Sequence, residues 1–292
     1  MSPGSTNAAR VSALKKHYRT GLGLRRRTVL EGVELLVPAG ATLGLVGPNG
    51  SGKSTLQRIL AGIERQDAGE VEVLGGSLSD ASVRGRIGYV PEDSPFPGEL
   101  DARAVLHLLG SLQGLSAGLI RQRAEPLLER VGLAPHARTP LRRFSRGMLR
   151  RFALAQAWLH RPELVLLDEP TAGLDAQGFE VLDDLLTEAR DRGAAVVFTS
   201  HLVTDLHSHC DELVVLLDGR VAARGAPAEL FGREGCWRAE LEGLAPPAER
   251  ELEAWVEAHG GRVRSIEPAG RSLLELYRLP GSGSSDLSAG AR

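Results

Sequence analysis

The sequence predicts an α/β fold built round a parallel sheet that is covered on both faces, and three features carry that expectation. Strand-length apolar runs alternate with helical stretches over 163–217, and another apolar run, 41–46, passes through a glycine-rich loop into a helix. Between them lies a largely helical block, 101–160. Strands buried on both faces read as continuous apolar runs, as Leu164-Val165-Leu166-Leu167 and Leu213-Val214-Val215-Leu216-Leu217 do.

Taken in order, residues 1–9 are small and polar and read as disordered. Stretches 11–18, 33–37 and 41–46 read as strands, with the Arg-rich and Gly-rich segment 20–28 as a surface loop between the first two. A helix is expected over 53–61 and short strands over 69–74 and 86–90. In the helical block, Val105, Leu108, Leu109 and Leu112, then Leu119, Leu127, Leu128 and Val131, recur at the spacing of packed amphipathic helices. Strand and helix then alternate over 163–167, 176–192, 194–200, 202–210 and 211–217, and Asp218-Gly219 turns into a last strand over 220–224. Beyond 232 a strand, helix, strand, helix pattern at 236–241, 248–259, 262–266 and 272–279 reads as a small α+β appendage. The expected organisation is a main domain 1–232 with a helical subdomain at about 93–160, an accessory domain 233–280 and a Gly/Ser-rich flexible tail 281–292.

Composition removes several function classes. A formal charge of -2 supplies no bulk positive field for nucleic acid, so no nucleic-acid partner is expected. Cys210 and Cys236 form no CxxC site, and nothing at the start reads as a secretory signal, so a reducing cytosol is the expected compartment. The apolar runs fall far short of the roughly 20 residues of a membrane helix, so a membrane connection must come from a partner.

Gly47-Pro48-Asn49-Gly50-Ser51-Gly52-Lys53-Ser54, followed by Thr55, matches GxxxxGK[ST] between a strand and a helix. Glycines let backbone N–H groups turn inward round phosphate oxygens, the helix N-terminus adds positive character, Lys53 reaches the β and γ phosphates and Ser54 offers a hydroxyl to Mg²⁺. Lysine occurs only at positions 15, 16 and 53 in a chain that otherwise uses arginine, which argues that a point charge matters at 53. Asp168 and Glu169 end a buried-type strand, where ligands of open α/β sheets bind. Asp168 is therefore placed for the magnesium shell, and Glu169 for polarising the attacking water of an in-line phosphoryl transfer.

These segments, with Thr171-Ala172-Gly173-Leu174-Asp175, resemble the Walker A, Walker B and D-loop motifs of ATP-binding-cassette ATPases. Phe144-Ser145-Arg146-Gly147-Met148 resembles the family signature, and His201 stands where the family has its switch histidine. The resemblance covers about 11–226 and implies a P-loop NTPase fold with an antiparallel β edge subdomain and a helical subdomain. It implies ATP and Mg²⁺ as ligands, a head-to-tail dimer in which Ser145 and Gly147 of one copy meet the other's γ-phosphate, and integral membrane permease subunits as partners. It places the chain on the cytoplasmic face of the membrane, in the exporter branch with separate membrane subunits. Lys53, Glu169 and His201 become the catalytic candidates. Tyr18 becomes the adenine-stacking aromatic, Asp175 the D-loop contact, and Ser54, Asp168 and Glu92 the magnesium set. Arg146 and Met148 depart from the usual signature, and Glu92 replaces the usual Q-loop glutamine; a carboxylate there accepts hydrogen bonds but donates none.

Four further features have plainer readings. Arg25-Arg26-Arg27 reads as a solvated loop in preference to a contact with anionic lipid or nucleotide, and Arg142, Arg143, Arg150 and Arg151 as the exposed face of an amphipathic helix or an aid to holding polyphosphate. His207 and His209 are two apart, do not share a helical face, and so make a poor zinc site with His201 and Cys210. The resemblance implies that segment 94–103 docks a membrane subunit, while its Pro and Phe content also suits a packed loop.

Overall fold

The computed structural model describes residues 7–20, 25–200, 209–231 and 248–263. The chain divides into two compact units, Met1–Gly232 and Arg233–Arg292. In chain order the first unit runs β1 (Asn7–Thr20), β2 (Arg25–Pro38), β3 (Thr42–Val46), α1 (Lys53–Leu60), β4 (Ala68–Val73), β5 (Gly76–Ser77), α2 (Ala81–Arg84) and β6 (Ile87–Val90). There follow α3 (Ala102–Leu112), α4 (Ala117–Arg130), α5 (Arg146–Trp158), β7 (Leu164–Leu167), α6 (Ala176–Asp191), β8 (Ala195–Ser200), β9 (Glu212–Leu217), β10 (Arg220–Gly225) and α7 (Pro227–Phe231).

The main sheet has the order β10-β9-β3-β8-β7-β6. All its pairings are parallel except β10 on β9, a hairpin at the edge. Side-chain alternation divides its apolar residues between two clusters. Leu164, Leu166, Ala195, Val197, Val214 and Leu216 pack with residues of α1, β1 and β2, while Val165, Leu167, Val196, Phe198 and Leu213 pack with α5 and α6. Both faces are thus covered, which is why these strands read as unbroken apolar runs.

An antiparallel sheet, β2-β1-β4-β5, lies beside the main one. Here the expected loop over 20–28 is corrected: β2 begins at Arg25, and Arg25, Arg26 and Arg27 pair across the hairpin with Thr20, Arg19 and Tyr18. An arginine run looks like loop by composition, but strand formation is decided by cross-strand partners, and the ends of a long hairpin tolerate polar side chains.

Side-chain caps start four long helices. Asp101, Ser116, Ser145 and Asp175 accept from the amides of Ala104, Leu119, Met148 and Gly178 at 2.8, 3.3, 3.2 and 2.9 Å. Such caps are each worth about 1 kcal/mol. On α3 the buried stripe is Ala102, Val105, Leu106 and Gly110, whereas Leu108 and Leu112 are 41% and 76% exposed. The apolar face expected there is rotated because α3 approaches α4 closely: a side chain at Gly110 would come within 2.8 Å of Ile120.

In the second unit, α8 (Ala248–Ala258) forms within the helix expected at 248–259, and Trp255 stacks on His259 at 4.2 Å. The elements expected at 236–241 and 272–279, most of 262–266, the tail 281–292 and most of the helix expected at 202–210 lie outside the described residues. Among the described residues no helix is long and apolar enough to cross a membrane.

Candidate functional site

The sheet's geometry collects the site at the ends of β3 and β7. After β3 the chain reverses over 47–52 into α1. Gly47 is the tightest point of the turn, because a Cβ there would sit 2.2 Å from the Leu216 carbonyl oxygen. Gly52 takes φ 108°, in the left-handed region, and caps α1 without any side-chain bond. The helix N-terminus therefore keeps its positive character for a ligand. Lys53 is buried and folds back, its Nζ donating to the carbonyls of Gly47 and Pro48 at 2.7 and 3.3 Å. Gln57, wholly buried, anchors the helix by donating to the Leu167 and Val197 carbonyls at 2.9 and 3.3 Å.

Across from this loop, Asp168 Oδ1 accepts from Ser54 Oγ at 3.1 Å and from Thr199 Oγ1 at 2.8 Å. The same Thr199 oxygen accepts from the Glu169 amide at 2.8 Å. Glu169 has φ 48°, a left-handed conformation on a residue with a full side chain, which costs roughly 1–3 kcal/mol. The Asp168 carboxylate also acts on Tyr89, whose hydroxyl is pushed up to about 12 chiefly by burial and further by that charge.

A cleft of about 640 Å³ joins these parts, and Tyr18, Arg27, Lys53, Ser54, Glu92 and Glu169 are among its lining residues. Tyr18 is held by its tip: its hydroxyl donates to Glu64 at 2.7 Å and receives from Arg58 at 3.3 Å, while Lys16 lies 5.5 Å from the ring centroid. Burial would raise the Glu64 carboxyl, but hydrogen bonds from Tyr18, Lys16 and Arg58 outweigh it and hold the group below the usual carboxylate range.

Arg27 lines the cleft, which the preferred loop reading of its segment misses and the alternative of a nucleotide contact allows. The signal that could have found it is its register directly opposite Tyr18. The reading of Arg150 and Arg151 as exposed is also corrected, since both are only 6% exposed. Arg151 donates to the Val131 carbonyl at 2.6 Å and sits 3.4 Å from Asp175, and Arg150 is bonded to carbonyls behind the cleft. Buried carbonyls without strand partners demand donors, and a guanidinium supplies five.

Ser145, Gly147 and Asp175 do not line the cleft. Gly147 and Asp175 meet each other instead: a side chain at Gly147 would lie 2.8 Å from Asp175 Oδ2. His201 and His207 lie outside the described residues. His209 Nε2 pairs with Asp183 at 2.6 Å, and the buried Cys210 thiol is pushed up to about 12 by burial first. In segment 94–103, Phe96 packs edge-on against Phe152 with ring centroids 4.9 Å apart.

Residues 30–172 match the family described as ABC transporter. The chain is 36% identical to an uncharacterized ABC transporter ATP-binding protein of Nostoc sp., over 91% of this chain and 87% of that protein. It is 34% identical to the Nod factor export ATP-binding protein I of Ralstonia nicotianae, over 95% and 89% of the two chains. Among solved structures it is similar to the ATP-binding cassette MJ0796, a dimer in a post-hydrolysis state bound to ADP and Pi. The TM-score is 0.69 at 25% identity, covering 75% of this chain and 98% of that one.

Proposed function

The chain belongs to the ATP-binding proteins of ABC transporters, and from that premise we propose how its residues divide the work. It is an ATP-binding, ATP-hydrolysing subunit that acts as a dimer and powers transport through separate membrane subunits. The observation that carries the assignment of roles is the convergence of Lys53, Ser54, Asp168 and Glu169 at the ends of β3 and β7, the two strands that flank β8, with Ser54 and Asp168 already 3.1 Å apart.

In this reading Gly47, Pro48, Asn49, Gly50, Ser51, Gly52 and Thr55 present the loop's backbone to the phosphates. Lys53 exchanges its carbonyl contacts for the β and γ oxygens. Tyr18 supports the adenine face. Ser54 and Asp168 are hard oxygen donors of the kind magnesium takes alongside phosphate oxygens, with Glu92 as the nearby third, so the donor set fits that ion. Bound there, magnesium would neutralise charge developing on the phosphates. Glu169 faces the cleft and accepts a proton from the attacking water, and His201 contacts the γ-phosphate. Ser145 and Gly147, which do not line their own cleft, serve the nucleotide of a second copy placed head to tail, with Asp175 beside Gly147.

Residues 94–103 dock a membrane subunit on the cytoplasmic face, and the cargo moves outward, as the Ralstonia relative's name states for that protein. The ATPase occupies 1–232, and 233–280 forms an accessory domain. The deciding experiment is Glu169→Gln. It should retain ATP, lose hydrolysis by about 10²–10⁴-fold and accumulate as a dimer in MgATP on gel filtration. A monomer turning over near the wild-type rate would remove Glu169 from its role.

A further inference from the structure

Arg150 lies on α5, shortly after the helix start at Ser145, and is only 6% exposed. Its guanidinium donates to five main-chain carbonyls. Nη1 reaches Pro91 at 2.6 Å and Glu92 at 3.0 Å, Nη2 reaches Asp168 at 2.7 Å and also Glu169, and Nε reaches Pro170 at 3.2 Å. These carbonyls belong to two loops, one leaving β6 and one leaving β7, and each loop brings a carboxylate, Glu92 or Glu169, to the cleft. A planar fork fixes the spacing of its acceptors in a way that a single ammonium cannot.

The left-handed backbone at Glu169 gives this contact a purpose. Strained conformations persist only where the surroundings over-determine them. Thr199 grips the amide of Glu169, and Arg150 grips the carbonyls of Asp168, Glu169 and Pro170. Together they hold the peptides on both sides of the strained residue.

We propose that Arg150 is a positioning residue for the reaction: by pinning the 91–92 and 168–170 carbonyls to one guanidinium, it keeps Glu169 in its left-handed pose, with its carboxylate toward the cleft and in a fixed relation to Glu92. The proposal rests on the reading of Glu169 as the carboxylate that takes the water's proton. Arg150 does not line the cleft, so its removal acts on the catalytic rate and leaves nucleotide binding in place.

The test compares the full chain with Arg150→Lys, Arg150→Gln and Glu169→Gln, measuring phosphate release, ATP affinity by calorimetry and melting temperature. Arg150→Gln should keep ATP affinity and KM while kcat falls by about 100-fold, the scale of a misplacement of about 1 Å. Arg150→Lys, which can reach one loop but not span both, should fall between Gln and wild type. A folded variant with wild-type kcat overturns the proposal, and so does a loss confined to KM or affinity. Should Arg150→Gln fail to fold, Arg150→Lys is judged by the same kcat criterion. Wild-type turnover in Glu169→Gln would instead refute the underlying assignment of that carboxylate, whatever Arg150 does.

Discussion

The phosphate loop and the Asp168-Glu169 turn face one cleft, and both depend on unusual backbone, yet they hold it by opposite means. The loop uses residues without side chains: Gly47 is squeezed against the Leu216 carbonyl, and Gly52 sits at φ 108°. The turn puts a glutamate at φ 48° and restrains it from outside, through Thr199 on β8 and Arg150 on α5. A geometry encoded by glycine is local and cheap. One imposed on a residue with a full side chain must be supplied by distant parts of the chain, and in the role proposed for Glu169 that side chain could not be replaced by glycine.

Substitutions can break each half of this contrast. The largest effect should come from Gly47→Ala. The added methyl would meet backbone oxygen at 2.2 Å, and backbone cannot rotate away as a side chain tip can. A loss of about 3 kcal/mol or more in chemical denaturation, with ATP binding abolished in calorimetry, is expected. An unchanged unfolding midpoint would show that the loop carries slack. Thr199→Val, nearly isosteric, tests the other side by removing the acceptor of the Glu169 amide and the donor to Asp168. Stability should fall by about 1–3 kcal/mol, and turnover should slow while ATP affinity is largely kept. If turnover is unaffected, the left-handed turn is held without its β8 contact.

The same contrast explains which features are legible in the amino-acid sequence. Lys53, Ser54 and the glycines before them are legible because one contiguous segment contains both the chemistry and the flexibility it needs. Asp168 and Glu169 are legible through their place at the end of an apolar strand. The restraints on them are not, since nothing in an Arg-Arg pair on a helix states which residue points inward. Arg150 and Arg151 are both buried, and their acceptors, from 91–92 to 168–170 for the first and Val131 for the second, lie far away in sequence. Arg27 escapes for a related reason. Composition favours a loop, while the hairpin register that sets it opposite Tyr18 is a property of two strands together. The helical block is legible as helix, but the buried face of α3 depends on its approach to α4 through Gly110 and cannot be fixed from one helix alone.

Tyr18, which also lines the cleft, extends the comparison with the smallest expected effect. Its ring is aimed by Glu64, which in turn gathers Lys16 at 3.2 Å and Arg58 at 3.3 Å. Because those hydrogen bonds hold the folded Glu64 below its ordinary range, the folded state favours the carboxylate. Its stabilisation is therefore present above the unfolded carboxyl value of about 4.3 and is lost as pH falls through the lower folded value. Glu64→Gln should cost about 1 kcal/mol or less at neutral pH, since the partners are near the surface, and should weaken ATP binding slightly through a looser Tyr18. In melting curves taken from neutral to acid, the gap between wild type and variant should close on the acid side. Parallel curves would mean that Glu64 gains nothing from its charge in the folded state, and that Tyr18 is aimed by packing alone.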